Sequence, residues 1–79
     1  MIPVDEEFAV KLGRILKKHR EEKHYSQEYV GEQLGFSKMM VSLWEAGKRE
    51  IYAETLKRYC ALLGITVQQA FDEADMEVI

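Results

Sequence analysis

Residues 25–50, YSQEYVGEQLGFSKMMVSLWEAGKRE, contain the same helix-start signal twice. Serine is a favoured N-cap residue, and an aromatic side chain before the cap can pack against an apolar residue at the fourth helical position. The two signals are Ser26 with Tyr25 and Val30, and Ser37 with Phe36 and Val41. Gly35 ends the first helix, because glycine takes the left-handed cap conformation without penalty. The stretch therefore predicts two helices joined by a turn of about three residues.

Two helices joined by so short a turn cannot lie side by side, and they cross at a steep angle of about 90–120°. Such a crossing needs a small residue where the backbones approach, and Gly31 stands in that place. A glycine inside a helix otherwise costs roughly 0.5–1 kcal/mol relative to alanine, so its position indicates a packing role. Apolar residues are expected to line the inside of the crossing: Val30, Leu34, Phe36, Val41 and Trp44.

Helical periodicity continues on both sides of this unit. A first helix is predicted over about residues 5–22, with an apolar stripe formed by Phe8, Leu12, Ile15 and Leu16. Gly47 is expected to stop the third helix. A fourth helix is predicted from about Tyr52 to Leu63, with one apolar face formed by Leu56, Tyr59, Cys60 and Leu63. Gly64 ends it, and Thr66 caps a fifth helix whose inward residues are Val67, Ala70 and Phe71.

The predicted fold class is all-α, a single domain of five helices over residues 1–79 with no sheet. Its core is expected over about residues 8–71, followed by an acidic and apolar tail at 72–79 that is a candidate dimer contact. The chain is 47% hydrophobic and 32% charged, a balance typical of a globular domain rather than a disordered segment.

Charge is unevenly distributed. The net charge is −3, but all eleven lysines and arginines lie within residues 11–69, which carry an excess of four positive charges, and both ends are acidic. The sign of the local charge governs the attraction of a charged partner more than the net charge of the chain does. Acidic ends and a mildly basic middle are also compatible with an ordinary solvated surface.

Several classes of protein are disfavoured. The single cysteine, the acidic N-terminus and the lack of an apolar run of about 20 residues predict a cytoplasmic protein with no membrane span. His19 and His24 have no cysteine or carboxylate at metal-ligand spacing, so neither a metal nor another cofactor is expected. No nucleophile–base pair and no glycine-rich phosphate loop is found, so we expect no catalytic residues, no enzyme activity and no small-molecule ligand.

Two stretches resemble a known family. The segment LGRILKKHREEKHYSQEYVGEQLGFSKMMVSLWEAGKRE, residues 12–50, closely resembles the helix-turn-helix domain of Cro/phage-repressor-like (XRE family) transcriptional regulators. LKRYCALLGITVQQAF, residues 56–71, resembles helices four and five of the same family. The resemblance implies binding to double-stranded DNA, with the third helix in the major groove and the second across the backbone. Because one such unit reads only about 4–5 base pairs, a repressor acting as a homodimer on a palindromic operator is expected.

The resemblance also implies roles for individual residues. The residues expected to contact phosphate are Ser26, Gln27, Ser37, Lys48 and Arg49. The residues expected to face the bases are Lys38, Met39, Met40, Ser42 and Leu43. Arg20 and Glu45 match a family pair that forms a structural salt bridge. His24 stands where the family usually has glycine, and a positive φ is expected there, which histidine tolerates better than most residues.

Met39, Met40 and Leu43 depart from the family pattern, in which these positions are usually polar or basic. Three interpretations stay open. The side chains could contact thymine methyl groups in the groove. They could bind a protein, as in an antitoxin-like or anti-repressor module, because exposed methionines make adaptable interaction surfaces. One of them could instead fold back into the core.

Overall fold

In the computed structural model, which describes residues 6–77, the chain forms five helices and no strand over that range. The helices are α1 (Glu6–Glu22), α2 (Gln27–Leu34), α3 (Lys38–Glu45), α4 (Ala53–Leu63) and α5 (Val67–Met76). The all-α prediction is confirmed. The predicted first residue of α1, Asp5, and the tail residues Val78 and Ile79 lie outside the described residues.

The predicted caps begin the helices as expected. The hydroxyl of Ser26 accepts a hydrogen bond from the backbone N–H of Tyr29 at 2.9 Å, and the hydroxyl of Ser37 accepts one from Met40 at 3.1 Å. Thr66 caps α5 in the same way. These bonds satisfy backbone donors that the first turn of a helix leaves unpaired.

The helix ends also follow the glycine signals. Gly35 and Gly64 adopt positive φ angles of 82° and 76° at the ends of α2 and α4. The chain leaves α3 through Ala46, the C-cap, and Gly47 follows with a φ of 71°. His24, just after α1, has a φ of 59°, so the predicted positive φ is confirmed.

Two glycines allow the helices to approach closely. A Cβ on Gly31 would lie 2.5 Å from the carbonyl oxygen of Phe36, which confirms the packing role expected for this residue. Gly13 plays the same part on α1, where a Cβ would lie 2.4 Å from the carbonyl oxygen of Glu45. Carbon atoms do not approach backbone oxygens so closely, so both contacts depend on the absence of a side chain. The importance of Gly13 was not predicted.

The inside of the α2–α3 crossing is apolar, as predicted. Val30 and Val41 are fully buried, and Leu34 and Trp44 are buried as well. Phe36 differs, because 39% of it is exposed. Its ring packs edge-on against Trp44 with the centroids 4.9 Å apart. Phe36 therefore forms the rim of the crossing rather than its inside.

Helices α4 and α5 complete the core. The predicted apolar face of α4 is buried: Leu56, Tyr59, Cys60 and Leu63. On α5, Ala70 is fully buried, and Phe71 packs against Phe8 of α1 with ring centroids 5.5 Å apart. Helix α5 continues to Met76, and Ala74 is fully buried, so the core extends beyond the predicted limit at residue 71.

A hydrogen bond and an ion pair hold α5 against α1. His19 Nε2 lies 2.9 Å from Glu73 Oε1, and Arg14 Nε lies 3.1 Å from Glu77 Oε1. Hydrogen bonds from Gln69 and then His19 lower the pKa of the Glu73 carboxyl, which favours its ionised form. Part of the predicted acidic tail is therefore structured and belongs to this helix pair.

Candidate nucleic-acid interface

The carboxylate of Glu45, the last residue of α3, is the centre of a buried polar network. Arg20 donates to it twice, from Nε at 2.7 Å and from Nη2 at 3.0 Å. The Tyr59 hydroxyl donates at 2.6 Å, and Gln27 Nε2 donates at 3.0 Å. These donors come from α1, α4 and α2, so one side chain fixes α3 against three other helices. The predicted Arg20–Glu45 salt bridge is confirmed.

Electrostatics keep this network charged. Burial opposes ionisation of Glu45, but hydrogen bonds from Arg20, Tyr59 and Gln27 outweigh it and hold the pKa of the carboxyl below its usual value. The hydrogen bond to Glu45 raises the pKa of Arg20. Burial, with the nearby carboxylate, raises the pKa of the Tyr59 hydroxyl, which stays protonated and remains a donor. The network is therefore a buried ion pair with its polar atoms satisfied, the condition under which such a pair is tolerated.

Gln27 joins this network to the predicted phosphate-contacting surface. It is the first residue of α2, it is half-buried, and its amide nitrogen is held by Glu45. A glutamine amide has two N–H donors and a carbonyl acceptor, so this bond occupies one of its donors. Gln27 is thus oriented by α3, while its expected phosphate contact stays a prediction.

The outer face of α3 is exposed while its inner face is buried. Val41 and Trp44 point into the core. Met39, Ser42, Leu43 and Ala46 follow one another at the spacing of a single helix face, and three of the four are exposed, Leu43 being half-buried. Met39 is 69% exposed, and Lys38 beside it is exposed as well.

The two methionines have different environments. Met40 is half-buried and packs against the core. With Phe36, Trp44 and Tyr52 it lines a shallow cavity of about 280 Å³ between α3 and the start of α4. This matches the interpretation in which one of the unusual apolar residues folds back toward the core. Met39 remains on the outer surface.

The remaining predicted contact residues lie at or near the ends of α2 and α3. Lys48 and Arg49 are exposed immediately after α3, and the backbone N–H of Lys48 donates to the carbonyl of Leu43 at 2.9 Å. That bond keeps the basic segment next to the end of α3. The hydroxyls of Ser26 and Ser37 are engaged as N-caps, which places both serines at the positively polarised ends of α2 and α3.

Comparison with known proteins identifies the family. The sequence model of the helix-turn-helix family matches residues 16–69, which include α2, α3, α4 and the turns between them. The chain belongs to the XRE-type helix-turn-helix family. It is accordingly a DNA-binding transcriptional regulator.

Relatives of this XRE-type regulator cover most of its length. It is 33% identical over 72 residues to the control protein C.MunI from Mycoplasma sp, across 90% of this chain and 97% of that protein. Two crystal structures of the clp gene regulator ClgR from Corynebacterium glutamicum superpose with TM-scores of 0.85 and 0.84. The first structure is 26% identical in sequence, and the match covers 98% of this chain and 95% of the ClgR chain. The second is 27% identical, and the match covers 94% of this chain and 76% of the ClgR chain.

A hypothetical transcription factor from Neisseria, NHTF, superposes with a TM-score of 0.74. It is 25% identical, over 90% of this chain and 86% of that one.

Among the described residues of this XRE-type regulator, no cluster of potential metal ligands occurs and no helix is long and apolar enough to cross a membrane. Burial raises the pKa of the Cys60 thiol to about 11, so this core cysteine is a neutral apolar residue near neutral pH.

Proposed function

We propose that this chain is a sequence-specific repressor that binds double-stranded DNA as a homodimer on a palindromic operator. The observation that carries the proposal is the contrast between the two sides of α3. Its inner side is fixed by Trp44 and by the network around Glu45, while its outer side is exposed. A binding surface needs side chains held in place by rigid supporting contacts, and α3 has them.

The surroundings of α3 suit a duplex. Lys48 and Arg49 lie at one end of the helix, and Lys38 lies at the other. The N-termini of α2 and α3, with Ser26, Gln27 and Ser37, provide the partial positive charge and N–H groups that bind phosphate. With α3 in the major groove, these groups lie near its two ends, where they can meet the phosphates that border the groove.

The size of the protomer is compatible with a dimer on DNA. Its extents are 27 × 25 × 21 Å. Successive major-groove half-sites on one side of a duplex are about 34 Å apart, so two protomers side by side can each reach one. The relative from Mycoplasma is called a control protein, which supports a regulatory role. Repression is the role we assign, because a dimer bound over a promoter is sufficient to block it.

Selection of bound duplexes from a random pool tests the proposal most directly. We expect enrichment of a two-fold symmetric sequence, and a pool without enrichment contradicts sequence-specific binding. An ordinary reporter assay with the selected operator then distinguishes repression from activation.

Salt dependence tests the phosphate contacts. A duplex binder with six to ten phosphate contacts loses about 10³–10⁵ in affinity between about 50 and 200 mM salt. Lys48→Ala and Arg49→Ala should each weaken binding to all sequences and reduce the magnitude of the salt slope by about one per lost contact. Lys17→Ala, on the exposed side of α1, removes the same charge and serves as the matched control. Equal effects from all three variants would contradict the assigned contacts.

A protein-binding role is the second candidate, favoured by the exposed apolar side chains near α3. Met39 is 69% exposed and Tyr52 is 71% exposed. In this alternative, Met39→Lys abolishes binding to a protein partner and leaves or strengthens weak DNA binding. In the leading proposal, Lys48 and Arg49 are required for DNA affinity, and the two sets of variants separate the functions.

A further inference from the structure

The outer face of α3 has one side chain that reads bases with paired hydrogen bonds. Arginine or lysine reads guanine, and glutamine or asparagine reads adenine, through two hydrogen bonds each. Of these residue types the face holds only Lys38; its other positions are Met39, Ser42, Leu43 and Ala46. Lys38 and Ser42 can each offer hydrogen bonds, but the remaining residues are apolar. Recognition by this face must therefore depend largely on apolar contact.

We infer that Met39 is a specificity-determining residue that recognises the 5-methyl group of a thymine in the major groove. The inference rests on the proposed function, and it names what that surface reads. Thymine is the only DNA base with an apolar group on its major-groove edge, so an apolar side chain distinguishes it from the other three.

Among the three apolar side chains Met39, Met40 and Leu43, Met39 is the most exposed. Met40 packs against the core and lines the cavity beside Tyr52, and Leu43 is half-buried, so neither side chain projects freely. Met39 is 69% exposed and lies in the first turn of α3, the part of a recognition helix that contacts base edges. Its unbranched, polarisable side chain can reach the groove floor and adapt to a methyl group.

Charge favours DNA as the occupant of this surface. Met39 is adjacent to Lys38, and Lys48 and Arg49 follow the same helix. An apolar side chain next to a lysine, on a helix followed by a basic segment, fits a groove whose base edges carry methyl groups and whose walls are phosphates. Ser42 lies three residues from Met39 on the same face, and its hydroxyl can donate to or accept from the neighbouring base.

Removal of single methyl groups from the DNA tests this contact. After the preferred duplex has been selected, each thymine is replaced in turn by deoxyuridine, which keeps base pairing and removes only the methyl group. For the unmodified protein, we expect one symmetric pair of positions at which the change weakens binding, by about three- to fourfold for each buried methyl group. Full-length Met39→Gln should bind the thymine and deoxyuridine duplexes equally at those positions.

Met39→Leu is the matched control, because it keeps an apolar side chain of similar volume and should retain a preference for thymine. Circular dichroism confirms that both variants are folded. The inference is overturned if Met39→Gln keeps the full thymine preference, or if no deoxyuridine position affects binding. Failure to select any duplex is a different result, since it removes the proposed function itself. The contact is established if Met39→Gln loses the preference for thymine while Met39→Leu keeps it.

Discussion

Tyr59 on α4 donates a 2.6 Å hydrogen bond to Glu45 at the end of α3, although residues 46–52 separate the two helices in the chain. Arg20 on α1 binds the same carboxylate through two hydrogen bonds. The hydroxyl of Tyr59 therefore helps to fix α3 through Glu45. The position of α3 depends on a core residue that is itself fully buried.

Tyr59→Phe should lower the free energy of unfolding by about 1.5–3 kcal/mol, because it removes a hydrogen bond to a buried charged acceptor and leaves the ring in place. Urea denaturation followed by circular dichroism measures the change. Tyr52→Phe is the matched control. Its ring is 71% exposed, and we expect a change within about 0.5 kcal/mol. Equal effects of the two substitutions would show that the bond to Glu45 contributes no net stability.

Acid should destabilise the fold through Glu45. Its pKa is lower in the folded protein than the usual value of 4.5, so its contribution is fully present above about pH 4.5. It is lost as the pH falls from there through the lower folded pKa. Glu45→Gln should therefore be less stable than the unmodified protein at about pH 6, and the difference should shrink toward about pH 3.

Urea midpoints at several pH values measure this difference. Glu32→Gln, which removes an exposed carboxylate from α2, is the control and should follow the unmodified protein across the range. A constant gap between Glu45→Gln and the unmodified protein would mean that the ionised state of Glu45 is not what stabilises the fold.

Local signals made most of the fold predictable. N-caps such as Ser26 and Ser37, and terminal glycines such as Gly35 and Gly64, act within one helical turn, so the sequence places the helix ends to within about two residues. Helical periodicity also predicts which face of α4 is buried. The family resemblance supplies the Arg20–Glu45 pair, which joins residues far apart in the chain.

Other features depend on long-range geometry that spacing does not encode. Periodicity indicates that Tyr59 is buried, but the direction of its hydroxyl depends on where α3 ends. The role of Gly13 depends on the closeness of α1 to the carbonyl of Glu45. Met40 lies four residues before the buried Trp44 on α3, so helix spacing already turns it further inward than Met39. The contact of Met40 with the loop before α4 depends on packing and was not predictable from the sequence.

Gly31→Ala should destabilise the protein even though alanine is the better helix former. A Cβ at this position would lie 2.5 Å from the carbonyl oxygen of Phe36, so the α2–α3 turn must shift. Overpacking of this kind costs about 1–3 kcal/mol, more than the roughly 0.5–1 kcal/mol gained in helix propensity. We expect a lower urea midpoint and weaker binding to the selected duplex, because the shift separates α3 from α2. Glu32→Ala, at the next and exposed position, should change neither by much.

Met76→Glu tests the predicted dimer contact on α5. Met76 is 80% exposed, so a charge there costs little in the protomer, whereas a charge buried without a partner in a dimer interface is costly. Deletion of the chain from residue 74 would be a poorer test, because Ala74 is fully buried and its loss opens the core. We expect light scattering after gel filtration to show a dimer for the unmodified protein and a monomer for Met76→Glu. Ala61→Glu adds the same charge to the exposed side of α4 and should leave the dimer intact. A dimer that survives Met76→Glu unchanged excludes this end of α5 from the interface.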